Sequence, residues 1–318
     1  MTVSRTIAGG KNVRPEVRER VLEAARALGY HRNENASRMR AGRASGLVGV
    51  AITNLANPYY GSLALGVEEI AATHGRRIIL GNTGEDPQRE RQLVVDFLGR
   101  QVEGLIVVPA GGDVSHLQRE MLGDTPLVLA SRTVVGVDVD VVLLDDIGGA
   151  YRGTRCLLEA GYRRIAYLGN VASVSTGHRR FEGFSRALED FGLMPSLSLV
   201  KRGQQDVEAA RQAMSSLLDL AEPPTAVFCA NNRNTIGALK AIGARLREAG
   251  PGPTTPAIVS FDDFELAELM PAPVTIVDHD PRELGREAAR LLFARMTAGA
   301  TESARRVEMP TTLVVANP

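Results

Sequence analysis

Ten lysines and arginines crowd the first 45 residues: Arg5, Lys11, Arg14, Arg18, Arg20, Arg26, Arg32, Arg38, Arg40 and Arg43. Only four acids oppose them there, Glu16, Glu19, Glu23 and Glu34, whereas the rest of the chain holds 27 basic and 33 acidic residues. A molecule of zero formal net charge has therefore gathered its positive charge into one N-terminal segment. That is the electrostatic footprint of a polyanion contact, and phosphodiester backbone is the commonest partner. A second chemistry, recognition of a small ligand, is suggested by polar and aromatic residues that close apolar runs. Tyr59 and Tyr60 follow Pro58 just after the first such run and offer a flat face and two hydroxyls to a ring-shaped ligand. One of the two tyrosines is expected to pack within its own lobe. Ser131 and Arg132 end another run and add hydrogen-bonding groups. Enzyme signatures are missing: there is no Gly-x-Gly-x-x-Gly after a strand, no phosphate loop, no His-Glu-x-x-His and no Gly-x-Ser-x-Gly. His31, His74, His116, His178 and His279 are scattered without metal-ligand spacing, so neither a metal nor another cofactor is expected, and catalysis is not.

The elements that must position these residues follow a simple rhythm. Short β-branched runs alternate with longer amphipathic stretches from Gly46 onward. Strands are expected at Leu47–Ile52, Ile78–Leu80, Leu105–Val108, Leu127–Leu129, Val141–Leu144, Ile165–Leu168, Ala226–Phe228 and Ile258–Phe261. Their near-continuous apolar character fits parallel strands covered on both faces. Between them Leu63, Val67, Ile70 and Ala71 form one helical stripe, Leu93, Val94, Phe97 and Leu98 a second, and Leu284, Ala288 and Leu292 a third. Gly75, Gly161 and Gly192 are placed to close helices. The class is α/β, and about eight to ten strands exceed one comfortable doubly wound sheet. Two Rossmann-like, parallel-sheet lobes are expected, with ligand in the cleft at the strand C-termini. The break between them is expected near residues 145–150, and a return crossing near Val277–Pro281. The N-terminal segment is helical instead: Pro15 to Leu28 places Val17, Val21, Leu22, Ala25 and Leu28 on one face and ends at Gly29. Further helical patterns cover residues 2–8 and about Glu34 to Ala41.

Composition bounds the rest. A content of 44% apolar and 23% charged residues is that of a soluble globular protein, and 318 residues suffice for two or three units. No apolar run reaches the roughly 18 residues that span a bilayer, so no membrane partner is expected. The N-terminus is polar and basic rather than a signal segment. Cys156 and Cys229 sit in apolar stretches and read as free buried thiols of a reducing, cytoplasmic compartment.

Placed in order, the motifs carry a resemblance over essentially the whole chain. Thr2-Val3-Ser4-Arg5, Asn12-Val13-Arg14-Pro15-Glu16-Val17 and Leu28-Gly29-Tyr30 are followed by Asn33, Ala36, Arg38, Met39, Arg40 and Gly42. Together they resemble the DNA-binding segment and hinge helix of the lactose-repressor (LacI/GalR) family. Asn57-Pro58-Tyr59-Tyr60, Asn82-Thr83, Asp86-Pro87, Gly104-Leu105-Ile106, Arg180-Phe181-Glu182-Gly183-Phe184, Ala230-Asn231 and Phe261-Asp262-Asp263 continue it. The resemblance implies a regulator of transcription, most often a repressor, that binds a pseudopalindromic operator as a homodimer and answers to a small carbohydrate-like effector. Its fold would be a two-lobed, periplasmic-binding-protein-like core preceded by a small all-α headpiece.

The implied organisation is a partial helix-turn-helix headpiece at 1–32 and a hinge helix and linker at 33–45. The N-terminal lobe would take 46–147 plus about 279–305, and the C-terminal lobe about 148–278 plus 306–318. Thr2, Ser4, Arg5 and Asn12 would face DNA, Ser4 and Arg5 as base readers; Arg38, Arg40 and Arg43 would touch phosphates near the hinge. Met39 matches the hinge residue that wedges between base steps in the minor groove. Arg180, Asn231 and Asp262 resemble the family's polar clamp on the ligand, joined by Tyr59, Tyr60, Ser131 and Arg132. One of Asp262 and Asp263 is expected to hold ligand and the other to cap a helix. Gln205 stands where the family often carries a stacking aromatic, which implies a more polar effector. Since Thr-Val-Ser-Arg belongs to the recognition helix, the resemblance begins inside that helix and implies a start upstream of Met1. The alternatives are a two-lobed solute-binding protein and a truncated regulator that senses ligand without binding DNA.

Overall fold

Pro15, Pro58, Pro87 and Pro281 each open a helix at a position where the missing N–H costs no intrahelical bond. Gly29, Gly75, Gly161 and Gly192 follow helix ends in the left-handed region that favours glycine. The computed structural model describes residues 3, 6, 13–29, 45–249, 255–265, 267–269, 273–298 and 303–316. They fall into two units, 1–45 and 46–318.

In the first unit, helix α1 spans Pro15–Ala27, with Glu16 in its first turn and Arg26 in its last, complementing the helix dipole. None of its side chains is buried, and Val17, Leu22 and Leu28 of the expected apolar face are exposed. Val3 and Thr6 are helical, as the pattern at 2–8 requires. The remainder of that pattern and the one at 34–41 lie outside the described residues.

The second unit holds twelve strands among the described residues, in two six-stranded sheets. The first sheet contains β1 (Leu47–Ile52), β2 (Arg77–Asn82), β3 (Gly104–Val107), β4 (Leu127–Ala130), β5 (Asp140–Leu144) and β11 (Arg306–Met309). Its spatial order is β11-β5-β4-β3-β1-β2, parallel throughout. The second contains β6 (Ile165–Gly169), β7 (Val200–Arg202), β8 (Ala226–Cys229), β9 (Ala257–Phe261), β10 (Val274–Asp278) and β12 (Thr312–Ala316). Its order is β12-β10-β9-β8-β6-β7, and only β12 runs antiparallel. All eight apolar runs read as strands form strands. β7 and β11 are short edge strands without a fully apolar run, whereas the apolar run Leu313 to Ala316 of edge strand β12 buries only Ala316.

Helices cover both faces of each sheet. Among the described residues they are α2 (Pro58–Thr73), α3 (Pro87–Gly99), α4 (Arg119–Leu122), α5 (Asp146–Glu159), α6 (Ser175–Asp190), α7 (Val207–Leu218), α8 (Asn232–Ala249) and α9 (Pro281–Ala298). Val48, Val50 and Ile52 face the cluster that includes Leu63, Val67, Leu284, Ala288 and Leu292, while Ala51 faces Val94 and Phe97. α2 and α9 approach backbone to backbone: a Cβ at Gly66 would strike the carbonyl of Arg282, and one at Gly285 the carbonyl of Leu63. Gly183 of α6 makes the same approach to Ile147 of α5 in the other lobe.

One boundary differs from expectation. Residues 306–309 belong to the first sheet, paired to β5 in the register Arg306↔Val141, and not to the C-terminal lobe. Buried Asp140 is the cause: it accepts from Arg295 Nε and Nη2 at 2.8 and 2.7 Å and from the Arg305 amide at 2.7 Å. These bonds pin the chain leaving α9 beside the start of β5. The last crossing therefore falls between β11 and β12.

Candidate functional site

Parallel strands deliver their C-terminal ends to one edge of each sheet, and here both edges meet at a shared cleft. After β1 the chain turns through Asn54 to Asn57, whose side chain caps α2 by accepting from the Tyr59 amide at 3.2 Å. After β2 it turns through Glu85, with Asp86 capping α3 through the Gln88 amide at 2.8 Å. Ser131 and Arg132 follow β4, Asn170 follows β6, Asn231 follows β8 and Asp262 follows β9. The cleft they line is narrow, with a cavity volume of about 40 Å³. All eight residues singled out from the sequence line it: Tyr59, Tyr60, Ser131 and Arg132 from the first lobe, Arg180, Gln205, Asn231 and Asp262 from the second.

Sequence reasoning missed Asn54, Asn57, Glu85, Asn170, Thr176 and Arg233, which also line the cleft. Most of these stand within a few residues of a strand's C-terminus, and that position was the available signal. Glu85, Ser131 and Asp262 have φ of 64°, 64° and 69°, a left-handed conformation costly for residues with a Cβ. Three of the four such non-glycine residues in the described chain thus line this cleft.

The polar groups are arranged in two layers. In the first lobe Arg132 donates to both oxygens of Glu85, at 2.6 and 2.8 Å, to the Pro109 carbonyl at 3.1 Å and to the Tyr60 hydroxyl at 3.1 Å. Tyr59 donates to Ser131 Oγ at 3.0 Å, and its ring meets that of Tyr60 edge-on at 4.9 Å. Burial raises the pKa of both tyrosines, so both hydroxyls stay protonated. Both pack into the core and both line the cleft.

In the second lobe Arg180 donates to Asp146 Oδ1 at 2.8 Å and to the Ala230 carbonyl at 2.6 Å, and its guanidinium lies 3.6 Å over the Phe261 ring. Asp262 Oδ1 sits 3.5 Å from Arg180 Nη1 and 3.7 Å from His279 Nε2, yet has no hydrogen-bond donor among the described residues. Burial raises the Asp146 pKa against the opposing pull of Arg180, and burial lowers that of His279. Asp263 accepts locally from the Phe264 amide at 2.7 Å, so of the two aspartates Asp262 is the one that lines this cleft. The lobes touch through a reciprocal amide pair, Asn57 to Asn232 at 3.2 Å and Asn232 to Asn57 at 2.8 Å. Fixed donors and one free carboxylate oxygen suit a small molecule rich in hydroxyls. Among the described residues no group of three or more His, Cys, Asp or Glu is placed to hold a metal.

A second hollow, of about 550 Å³, shares Tyr59 and Asp262 as walls with this cleft. Pro58 and Ser62 of α2 and Ile236, Leu239 and Lys240 of α8 line it, so both lobes contribute.

Residues 45–317 match the family model described as periplasmic binding proteins and sugar binding domain of the LacI family, and residues 1–33 match that of bacterial regulatory proteins, lacI family. The chain belongs to the LacI family. It is a DNA-binding transcriptional regulator whose two α/β lobes form the ligand-binding core. Among similar proteins, the HTH-type transcriptional repressor CytR of Escherichia coli is 28% identical over 93% of this chain and 85% of its own length. Catabolite control protein A of Priestia megaterium is 30% identical over 95% of this chain and 90% of its own. The structure of the transcriptional regulator CelR with cellobiose superposes with a TM-score of 0.74 at 31% identity, covering 100% of this chain and 95% of that one. LacI-family members are regulators rather than enzymes, and no described helix here is long and apolar enough to cross a membrane. Thr2, Ser4, Arg5, Asn12, Arg38, Met39, Arg40 and Arg43, the residues expected on DNA, lie outside the described residues.

Proposed function

We propose that the chain is a cytoplasmic transcriptional repressor whose operator affinity is set by a small hydroxyl-rich effector, a sugar or related metabolite, bound between the lobes. One observation carries this reading: hydrogen-bonding groups from both lobes converge on one cleft, and the buried Asp262 Oδ1 there lacks a donor. A vicinal diol fits that deficit, donating to Asp262 while accepting from Arg180. Tyr59, Tyr60, Ser131 and Arg132 close on the ligand's other face, with Gln205 and Asn231 at its rim. CelR, whose structure holds cellobiose, supports a carbohydrate-like effector. At the N-terminus Ser4 and Arg5 read bases, Thr2, Asn12, Arg38, Arg40 and Arg43 position the duplex, and Met39 wedges the minor groove. The working form is a homodimer. The hollow between α2 and α8 has an apolar part formed by Pro58, Ile236 and Leu239 beside charged groups such as Lys240 and Glu265, and Leu65, two turns beyond Pro58 on the same face of α2, is 54% exposed. A second copy seated there would touch both lobes and register their angle.

The test is fluorescence anisotropy on an operator selected from random duplexes, with a panel of sugars, sugar acids, sugar phosphates and nucleosides added in turn. At least one member should change wild-type operator affinity by about 5–150-fold. Arg180→Ala should bind the duplex with its ligand response gone. A normal response from Arg180→Ala would place the effector site elsewhere.

A further inference from the structure

Three arginines line the cleft, and two have their charge matched inside the protein. Arg132 is held by both oxygens of Glu85. Arg180 lies against Asp146 at 2.8 Å and Asp262 at 3.5 Å. Arg233, in the first turn of α8, is different. Its one side-chain hydrogen bond runs from Nη1 to the Ala56 carbonyl at 3.4 Å, near the limit of such a bond. Its Nε is sealed from solvent without an acceptor, and no carboxylate of the described residues pairs with it. A guanidinium drawn partly out of water without a counter-charge is unfavourable, and an anion entering the cleft relieves it.

Position strengthens the case. Arg233 belongs to the second lobe, yet its bond to Ala56 reaches the first, so its head group bridges the rim where the lobes meet. It stands at the positive end of α8, where Asn231 caps the helix through the Asn234 amide at 2.8 Å, and the helix field favours a negative group. Around it Asn54, Asn57, Asn170 and Thr176 are neutral and suit hydroxyls, not charge. The cleft therefore has sites for a diol and one unmatched cation.

We propose that the effector carries an anionic group, a carboxylate or a phosphate, and that Arg233 is the residue that selects for it. The inference rests on the cleft being the effector site. An acidic ligand would draw Arg233 and the Ala56 loop together, linking the chemistry of the ligand to closure of the lobes.

Calorimetry on the full chain tests this with glucose, fructose and ribose, each beside its phosphate ester and its aldonate or uronate counterpart, where one exists. At least one acidic member should bind about tenfold or more tightly than its neutral parent, the size expected of a charge-assisted pair. Arg233→Gln should bring that ratio to within about twofold of one, and Arg233→Lys should retain part of it. The esters and the carboxylates, scored separately, tell phosphate from carboxylate selection. If no acidic member outbinds its parent, or if Arg233→Gln weakens parent and acid equally, the inference falls while the cleft assignment stands. Arg180→Ala, run in parallel, separates the two: undiminished binding by that variant would overturn the cleft assignment itself.

Discussion

At the residue scale, charge in the cleft is organised around Asp262, which faces Arg180 and His279 from a strained turn. His279 is buried with neither ring nitrogen hydrogen-bonded among the described residues. Burial holds its pKa below the ordinary 6.5. The unfolded chain therefore takes up this proton first as pH falls. The stability His279 contributes is complete above about 6.5 and is lost as pH falls through its depressed folded value. Chemical denaturation between pH 5 and 8 should show wild-type stability declining below about 6.5, and His279→Gln should flatten that slope. An unchanged slope would mean that the imidazole does not titrate as described. The cleft's lining was largely readable in the sequence because its residues stand in short strings, Asn57-Pro58-Tyr59-Tyr60 and Phe261-Asp262-Asp263 among them. Glu85, Arg233 and His279 were not readable. Their importance arises from partners 47, 177 and 17 positions away in the chain: Arg132, Ala56 and Asp262.

At the scale of elements, hydrophobic patterning identified the strands covered on both faces, such as β1, β3 and β4, because burial on both sides demands continuous apolar residues. The same criterion found the edge strand β2 but misses edges built from mixed residues, such as β7 and β11. Arg306–Met309 alternates exposed and partly buried residues, and polar anchoring decides its sheet. Asp140 supplies that anchor through Arg295 and Arg305, with its pKa lowered by those partners against the effect of burial. Asp140→Ala should destabilise the core by about 3 kcal/mol, since it leaves Arg295 without its carboxylate and removes the acceptor for the Arg305 amide. Urea denaturation measures this, and hydrogen exchange should show earlier opening of residues 305–309 than of β1. A loss below about 0.5 kcal/mol would show that strand pairing holds β11 without the anchor.

At the scale of the molecule, three chain crossings join two lobes that are similar in plan, each with a glycine-mediated helix pair on its sheet. That plan was legible from the number of apolar runs, whereas the last crossing was not, because no apolar signal marks the passage from Met309 to Thr312. A cleft whose walls belong to different lobes ties ligand binding to their relative angle. The proposed regulation requires that a change of lobe angle reach the basic N-terminal segment, which precedes β1 in the chain. Coupling of this kind is reciprocal: if the effector alters operator affinity, operator alters effector affinity by the same factor. The decisive measurement is calorimetric titration of the best-binding member of the sugar panel into the regulator alone and into its operator complex. Two affinities differing by about 5–150-fold, matching the change in operator affinity caused by that ligand, are the predicted result. Equal affinities with and without operator would contradict the claim that the cleft controls DNA binding.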